Sequence, residues 1–143
     1  MQFNQISVFL ENRAGSLSKL TKVLSENNID LRAINIAETA DYGILRLIVN
    51  DSQKASEILL NEGFILKLTP VIAVAIADHP GGLNELLEIL AHEDIDVKYM
   101  YSLFETVRDT TYMILQVANI DKAVEILAAN KFTPARAEDL GIC

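Results

Sequence analysis

The chain has 143 residues, half of them hydrophobic, and a formal net charge of −8. This length allows one ordinary domain or two very small ones. Most of the negative charge lies in the second half, because residues 1–69 carry a net charge of −1 and residues 70–143 carry −7. An acidic surface repels phosphates, so we expect neither nucleic acid nor a membrane as a partner.

The compartment is predicted from three features of the sequence. No apolar run approaches the roughly 18 uncharged residues of a membrane span, and the N-terminus lacks the basic and apolar regions of a secretory signal. The lone cysteine, Cys143, is the last residue and cannot form an intramolecular disulfide. This agrees with a reducing compartment. We therefore expect a soluble cytoplasmic protein in which Cys143 belongs to an inert tail.

The chain begins with a strand pattern and a helix pattern. Residues 4–11 alternate, with Ile6 and Val8 on one side and Ser7 and Phe9 on the other, as in a half-buried strand. Leucine and valine then recur at helical spacing in residues 15–27. The next residues, Asn27 and Asn28, predict the end of this helix, because asparagine tolerates the left-handed conformation found there.

A hairpin and a second helix complete the first half. The hairpin signal at residues 40–43 lies between two extended runs, residues 30–39 and 43–49. Asp51 or Ser52 is a plausible cap for the second helix, and Gly63 ends it. The last strand is predicted at residues 64–68, so that the order is βαββαβ.

The second half repeats this order. Gly81 matches Gly15 and Leu83 matches Leu17, at an offset of 66 residues. The repeated elements are a helix at residues 82–92, a helix capped by Asn119, and strands at residues 71–77, 97–104, 111–117 and 132–135. The duplication predicts an α+β fold of two ferredoxin-like sandwiches side by side, residues 1–69 and 70–143. We expect each to have an antiparallel four-stranded sheet with two helices on one face.

Each copy has a glycine-containing turn between its first strand and its first helix. In the first copy the turn reads Ala14, Gly15, Ser16 and Leu17, and in the second it reads Pro80, Gly81, Gly82 and Leu83. A helix N-terminus offers unpaired N–H groups and the positive end of the helix dipole, so each turn can hold a carboxylate. Glycine also lets a ligand approach the backbone closely.

At these residues the sequence resembles the ACT domain family, small βαββαβ modules that sense amino acids and regulate metabolic enzymes. The family pattern places Gly-x-Leu, often after a proline, at this turn; the second copy matches it fully, and the first has Ala14 in place of the proline. The resemblance covers nearly the whole chain as a tandem pair. It implies a free-standing amino-acid sensor, since no catalytic domain is attached, with its ligand at the interface between modules.

The turn chemistry and the resemblance together give one candidate ligand site in each copy. The amino group would meet the side chain of Asn12 or Asp78 and open carbonyl groups of a neighbouring strand. The first site comprises Asn12, Arg13, Ala14, Gly15, Ser16, Leu17, Asn35, Ile36 and Ala37. The second comprises Asp78, His79, Pro80, Gly81, Gly82, Leu83, Tyr101, Ser102 and Leu103. Turn geometry alone would also explain the glycines, and Asp78 could simply cap its helix.

Two other classes of function fit the residues less well. The side chains of Asp78 and His79 diverge in an extended chain, and phosphate-binding glycine motifs are absent, so we expect no catalysis and no cofactor. His79 and His92 stand at opposite ends of one helix, so we expect no metal. An RNA-binding module needs aromatic residues among basic ones, and this acidic chain has few. The main alternative is a ligand-independent interaction module or a regulatory subunit of a metabolic enzyme.

The predicted hairpin of the second copy suggests self-association. Tyr112 and Ile114 fall on its outer face, where the first copy has Ile44 and Arg46. An apolar stripe on an uncovered sheet face favours a partner. We therefore expect a homodimer, with a metabolic enzyme as a further partner.

Overall fold

The structure is a computed structural model that describes residues 1–38, 41–107 and 110–142. Within these residues the chain forms six strands and four α-helices. The strands are β1 (Phe3–Glu11), β2 (Leu31–Glu38), β3 (Tyr42–Val49), β4 (Ile65–Ile76), β5 (Val97–Ser102) and β6 (Thr111–Val117). The helices are α1 (Ser16–Glu26), α2 (Ser52–Asn61), α3 (Gly82–His92) and α4 (Ile120–Ala129), and a short 3-10 helix, Ala137–Leu140, follows α4.

The chain divides into two compact units. The N-terminal unit comprises Asn4–Thr69 and Gly141–Cys143, and the C-terminal unit comprises Pro70–Leu140 and Met1–Phe3. The boundary between the units falls within β4. Each unit therefore contains one long segment and a few residues from the opposite end of the chain.

The N-terminal unit is an antiparallel sheet covered on one face by α1 and α2. β3 pairs with β1 and β2, and β1 is hydrogen-bonded on its other side to β4. The core lies between the sheet and the helices because alternate strand residues and one stripe of each helix are apolar. Its buried members are Ile6, Val8, Leu20, Val23, Leu24, Ile29, Leu45, Leu47, Val49, Ala55 and Leu59.

The C-terminal unit has the same layers with fewer strands. β6 pairs antiparallel with β4 and β5, and α3 and α4 contact each other. The buried core again joins one sheet face to one stripe of each helix: Ile72, Val74, Leu86, Leu90, Ile95, Leu115, Val117, Ala123 and Leu127.

The strand count differs from the predicted eight for two reasons. The strands predicted at residues 64–68 and 71–77 are one continuous strand, β4, because proline has a φ that extended chain also adopts and Pro70 does not have to break it. The strand predicted at residues 132–135 does not form in the structure. Pro134 has no N–H to donate, and the segment is linked to β4 by a bond from the Ala135 N–H to the Ala73 carbonyl, at 2.8 Å. Two four-stranded sheets are therefore not confirmed.

The predicted helix ends are confirmed. Asn28 follows α1 with a φ of 56°, and Gly63 follows α2 with a φ of 89°, so both adopt the left-handed conformation. Residues 39 and 40 of the predicted hairpin, and Cys143, lie outside the described residues. None of the helices in the described ranges is long and apolar enough to cross a bilayer.

The apolar stripe that predicts a homodimer is not exposed in the structure. Ile114 is fully buried, and Tyr112 is half-buried. The premise of an uncovered stripe is therefore wrong, because Ile114 is already covered within the single chain. Elsewhere, Phe9 and Tyr42 are 40% and 47% exposed, and their rings lie 6.4 Å apart.

Candidate functional site

The four α-helices begin in two different ways. Asp51 accepts a hydrogen bond from the Lys54 N–H at the start of α2, and Asn119 accepts one from the Lys122 N–H at the start of α4. Neither α1 nor α3 has a side-chain cap. These two helices follow the predicted ligand-binding turns. The Ser16 N–H donates to the Arg13 carbonyl and the Gly82 N–H to the His79 carbonyl, so the N–H groups of the next two residues of each helix are the ones that a ligand would use.

A glycine in the left-handed conformation precedes each uncapped helix. Gly15 has a φ of 88° and Gly81 a φ of 91°, and no other atom lies within 4 Å of a Cβ built at either position. The conformation therefore selects glycine, and the space beside each backbone is open. The residue after this glycine differs between the copies: it is Ser16 in the first and Gly82 in the second. A Cβ at Gly82 would overlap the Ala77 carbonyl oxygen, so the second copy needs glycine at this position.

A small cavity of about 80 Å³ lies at the first of these turns. Its residues come from the end of β1, the turn, the first turn of α1, β2 and β3. They are Leu10, Glu11, Asn12, Arg13, Ser16, Leu17, Ile36, Gly43 and Leu45. The cavity thus joins an uncapped helix N-terminus to the edge of the apolar core, and it lies entirely within the N-terminal unit.

The mouth of the cavity carries both signs of charge. Arg13 Nε lies 3.1 Å from Glu11 Oε2, and both side chains are mostly exposed. Asn12 Nδ2 donates to Glu38 Oε1 at 3.5 Å. An exposed ion pair of this kind contributes little to stability, so its partners can exchange for a ligand at little cost. The arrangement offers a cation for a carboxylate and carboxylates for an ammonium group.

Five residues of the first predicted site line this cavity: Asn12, Arg13, Ser16, Leu17 and Ile36. Ala14 and Gly15 are exposed in the turn. The side chain of Asn35 lies on the other face of the sheet, where its Oδ1 accepts from Arg46 Nη1 at 2.9 Å. Ala37 shares that face by strand alternation, so both residues could offer only backbone groups to the cavity.

The residues of the second predicted site differ widely in exposure. Asp78, His79, Pro80 and Gly81 are exposed, Gly82 is buried and Leu83 is half-buried. The His79 ring nitrogen Nδ1 is 3.0 Å from the Pro80 carbonyl oxygen. On the strand side, Ser102 is exposed, but Tyr101 and Leu103 are only 8% and 7% exposed.

Four cavity residues were not predicted from the sequence: Leu10, Glu11, Gly43 and Leu45. Leu10 and Glu11 end the strand before the turn, so their position beside Asn12 could have identified them. Gly43 and Leu45 come from β3, and they reach the cavity through pairs with Leu10 and Val8. The register of the β1–β3 pair, which brings them there, cannot be read directly from the sequence.

A larger open depression of about 580 Å³ lies on the C-terminal unit. It is lined by Glu85, Glu88, Ile89, His92, Glu93, Asn130 and Phe132. Its three glutamates repel a carboxylate, so we do not assign the amino-acid site to it. Across the described residues, no group of three histidine, cysteine or acidic side chains is arranged to hold a metal ion.

Comparison with known proteins identifies a family and several structures with a similar fold. Residues 1–142 match the family model described as ACT domain pair. The crystal structure of protein BT0572 from Bacteroides thetaiotaomicron is 38% identical, with a TM-score of 0.91 over 99% of this chain and 96% of that one. No curated protein matches the chain significantly.

Two more distant structures share the fold. The regulatory subunit of aspartate kinase from Thermus thermophilus, in a ligand-free form, has a TM-score of 0.62 at 16% identity and covers 88% of this chain and 91% of that one. The corresponding subunit from Thermus flavus has a TM-score of 0.61 at 14% identity, over 90% and 92% of the two chains. At these identities the likeness concerns the fold alone.

Proposed function

Because the chain belongs to the ACT domain pair family, we propose that it is a regulatory protein that binds a free amino acid. The two ACT domains would be residues 1–69 and 70–143. The observation that carries the proposal is the uncapped start of α1 above a cavity of about 80 Å³. Helix α3 likewise starts without a side-chain cap, whereas α2 and α4 are capped by side chains.

Each part of an amino acid has a matching group at the first turn. The carboxylate would accept hydrogen bonds from the N–H groups of Leu17 and Ser18, where the helix dipole favours negative charge. The ammonium group would bind Glu11 or Asn12 and an open carbonyl of β2, which lies at the edge of the sheet beside β3 in the strand order of the described residues. The ligand side chain would enter the cavity.

The expected affinity suits a metabolite sensor. A hydrogen bond to a charged group contributes about 1.5 to 3 kcal/mol. Two or three of these contribute about 3 to 9 kcal/mol. That range spans the roughly −4 to −8 kcal/mol of dissociation constants from millimolar to micromolar. Catalysis is not part of this proposal.

The partner of the regulatory protein is proposed to be a metabolic enzyme. Two structures with this fold are regulatory subunits of aspartate kinase, which supports a role as a separate subunit. Homodimer formation is also proposed. The buried Ile114 on β6 does not support it. We expect the protein to act in the cytoplasm.

A ligand-independent interaction module is the second candidate. It is favoured by the exposed aromatic pair of Phe9 and Tyr42, because neighbouring exposed apolar side chains can form part of a protein contact. The two candidates differ in what a small molecule does. An amino acid stabilises the sensor and leaves the interaction module unchanged.

Thermal unfolding with each common amino acid separates these candidates. A ligand that binds only the folded state at a hundredfold excess over its dissociation constant stabilises it by about 2.7 kcal/mol. The full chain and its Gly15→Val variant should be compared, because a β-branched side chain resists positive φ and fills the open space at the turn. We expect one or a few related amino acids to raise the midpoint of the full chain and to have little effect on the variant.

The control for this comparison is Lys122→Ala, a change at the start of α4. Its response to the active amino acid should equal that of the unchanged chain. If no amino acid at ten millimolar moves the midpoint by a degree, the sensor is excluded and the interaction module is the better account.

A further inference from the structure

We propose that the cavity of the N-terminal unit selects an aliphatic amino acid with a side chain of three or four carbon atoms, and that Gly43 sets its size limit. This inference rests on the proposed function, because it takes amino-acid binding at the α1 turn as given. Valine is the member of this class that fits the space best.

The walls of the cavity are aliphatic. Leu10, Leu17, Ile36 and Leu45 line it, and its polar residues belong to the end of β1, the turn and the first residue of α1. The polar residues lie where the ligand's amino and carboxylate groups would be. A charged or hydroxylated ligand side chain would therefore lose water among aliphatic groups without gaining a partner, which is unfavourable.

The volume of the cavity limits the size of the side chain. An apolar cavity of roughly 150 Å³ holds a benzene molecule, which has six carbon atoms. The cavity at the α1 turn measures about 80 Å³, about half of that volume. In proportion it accommodates three or four carbon atoms, as in valine, leucine or isoleucine, and excludes the ring of phenylalanine.

Gly43 lines the cavity, and the side chain that it lacks leaves this part of the cavity open. It lies opposite Leu10 in the β1–β3 pair, and a Cβ at residue 43 would be 3.5 Å from Ile36 Cγ2. That distance is ordinary van der Waals contact, and Gly43 is not among the glycines with positive φ. An alanine is therefore tolerated by the backbone, and its methyl group would take space from the ligand beside Ile36.

The C-terminal unit has larger or more polar residues at the equivalent positions. Thr111 lies opposite Ile76, as Gly43 lies opposite Leu10. Met113 lies opposite Val74, as Leu45 lies opposite Val8, and Ser102 pairs with Met113 as Ile36 pairs with Leu45. An open aliphatic wall is thus specific to the N-terminal unit.

Titration calorimetry of the full chain with glycine, alanine, valine, phenylalanine and aspartate tests this inference. Each buried methylene is worth about a factor of four in affinity. Valine has two more carbon atoms than alanine and should bind about 15-fold more tightly. Phenylalanine and aspartate should bind no better than glycine.

The Gly43→Ala variant tests the size limit. It should lower the affinity for valine by at least about fourfold, the value of one methylene, and leave the affinity for glycine unchanged. Thr111→Ala changes the equivalent position of the other unit and should leave valine binding as it was. Circular dichroism checks that both variants fold; if Gly43→Ala does not, the series on the unchanged chain decides.

The outcomes separate this inference from the function on which it rests. If no amino acid binds, the sensor proposal and this inference are both overturned. If aspartate or phenylalanine binds more tightly than valine, or if Gly43→Ala leaves the ratio of valine to glycine affinity unchanged, the selection is overturned and the sensor proposal stands.

Discussion

Gly82, the first residue of α3, lies so close to the carbonyl oxygen of Ala77 that a Cβ at residue 82 would overlap it. The Ala77 oxygen also accepts a hydrogen bond from the His79 N–H at 3.0 Å, so it is held in place by the turn. The second glycine of the motif is therefore required by the packing of the helix start against the strand. This requirement does not depend on a ligand.

Gly82→Ala is accordingly expected to destabilise the protein. Forcing a methyl group against a fixed backbone atom costs about 1 to 3 kcal/mol. Each kcal/mol lowers the melting midpoint by about 4 °C in a chain of this size. Ser16→Ala is the matched control at the equivalent helix start, where a Cβ is already present, and it should change the midpoint by no more than about 2 °C. Equal midpoints for the two variants would show that the contact at Gly82 is not rigid.

The buried polar residues on the outer face of the N-terminal sheet give a second prediction. The Ser7 hydroxyl accepts from Gln5 Nε2 at 3.0 Å and is 3.0 Å from Thr69 Oγ1. Ser7 is 3% exposed and Gln5 is fully buried. Ser7→Ala leaves both neighbours with one partner fewer, so urea denaturation should show a loss of about 1 to 3 kcal/mol. Ser18→Ala, at an exposed serine, should leave the free energy of unfolding unchanged. If Ser7→Ala also leaves it unchanged, the stabilising role of the Ser7 hydroxyl is contradicted.

The C-terminal residues are expected to stabilise the N-terminal unit. Ile142 is only 4% exposed, and a Cβ at Gly141 would be 3.8 Å from the Arg32 guanidinium. Ile142→Ala should therefore lower the free energy of unfolding by about 2 kcal/mol or more. Ile65→Ala in the same unit, at a side chain 69% exposed, should change it by less than about 0.5 kcal/mol. Similar effects of the two changes would mean that Ile142 packs only loosely.

Local elements could be predicted from the sequence because local signals determine them. The helix expected at residues 82–92 is α3, and the strand expected at residues 111–117 is β6. Asp51 and Asn119 cap their helices as expected, since the capping oxygen and the N–H it binds are three residues apart. The duplication placed these signals twice in the same order, and the resemblance to the ACT domain family depended on that repeat.

Tertiary pairing could not be predicted in the same way. The continuous strand through Pro70 depends on neighbours on both sides, and residues 132–135 fail to form a strand although their equivalents do. The cavity at the first turn needed the register that sets Gly43 opposite Leu10. The burial of Ile114 likewise depends on what covers its face, which strand alternation does not reveal.

An amino-acid carboxylate is expected to bind at the start of α1, and the most direct test is amide NMR of the full chain during titration with the amino acid that binds most tightly by calorimetry. The N–H resonances of Leu17 and Ser18 should move, because their N–H groups have no side-chain cap. The Lys54 N–H is already bonded to Asp51 Oδ1 at 3.1 Å at the start of α2, so its resonance should stay in place. If the Leu17 and Ser18 resonances stay fixed at saturating concentrations of that amino acid, or if the Lys54 resonance shifts as much as they do, carboxylate binding at this helix start is contradicted.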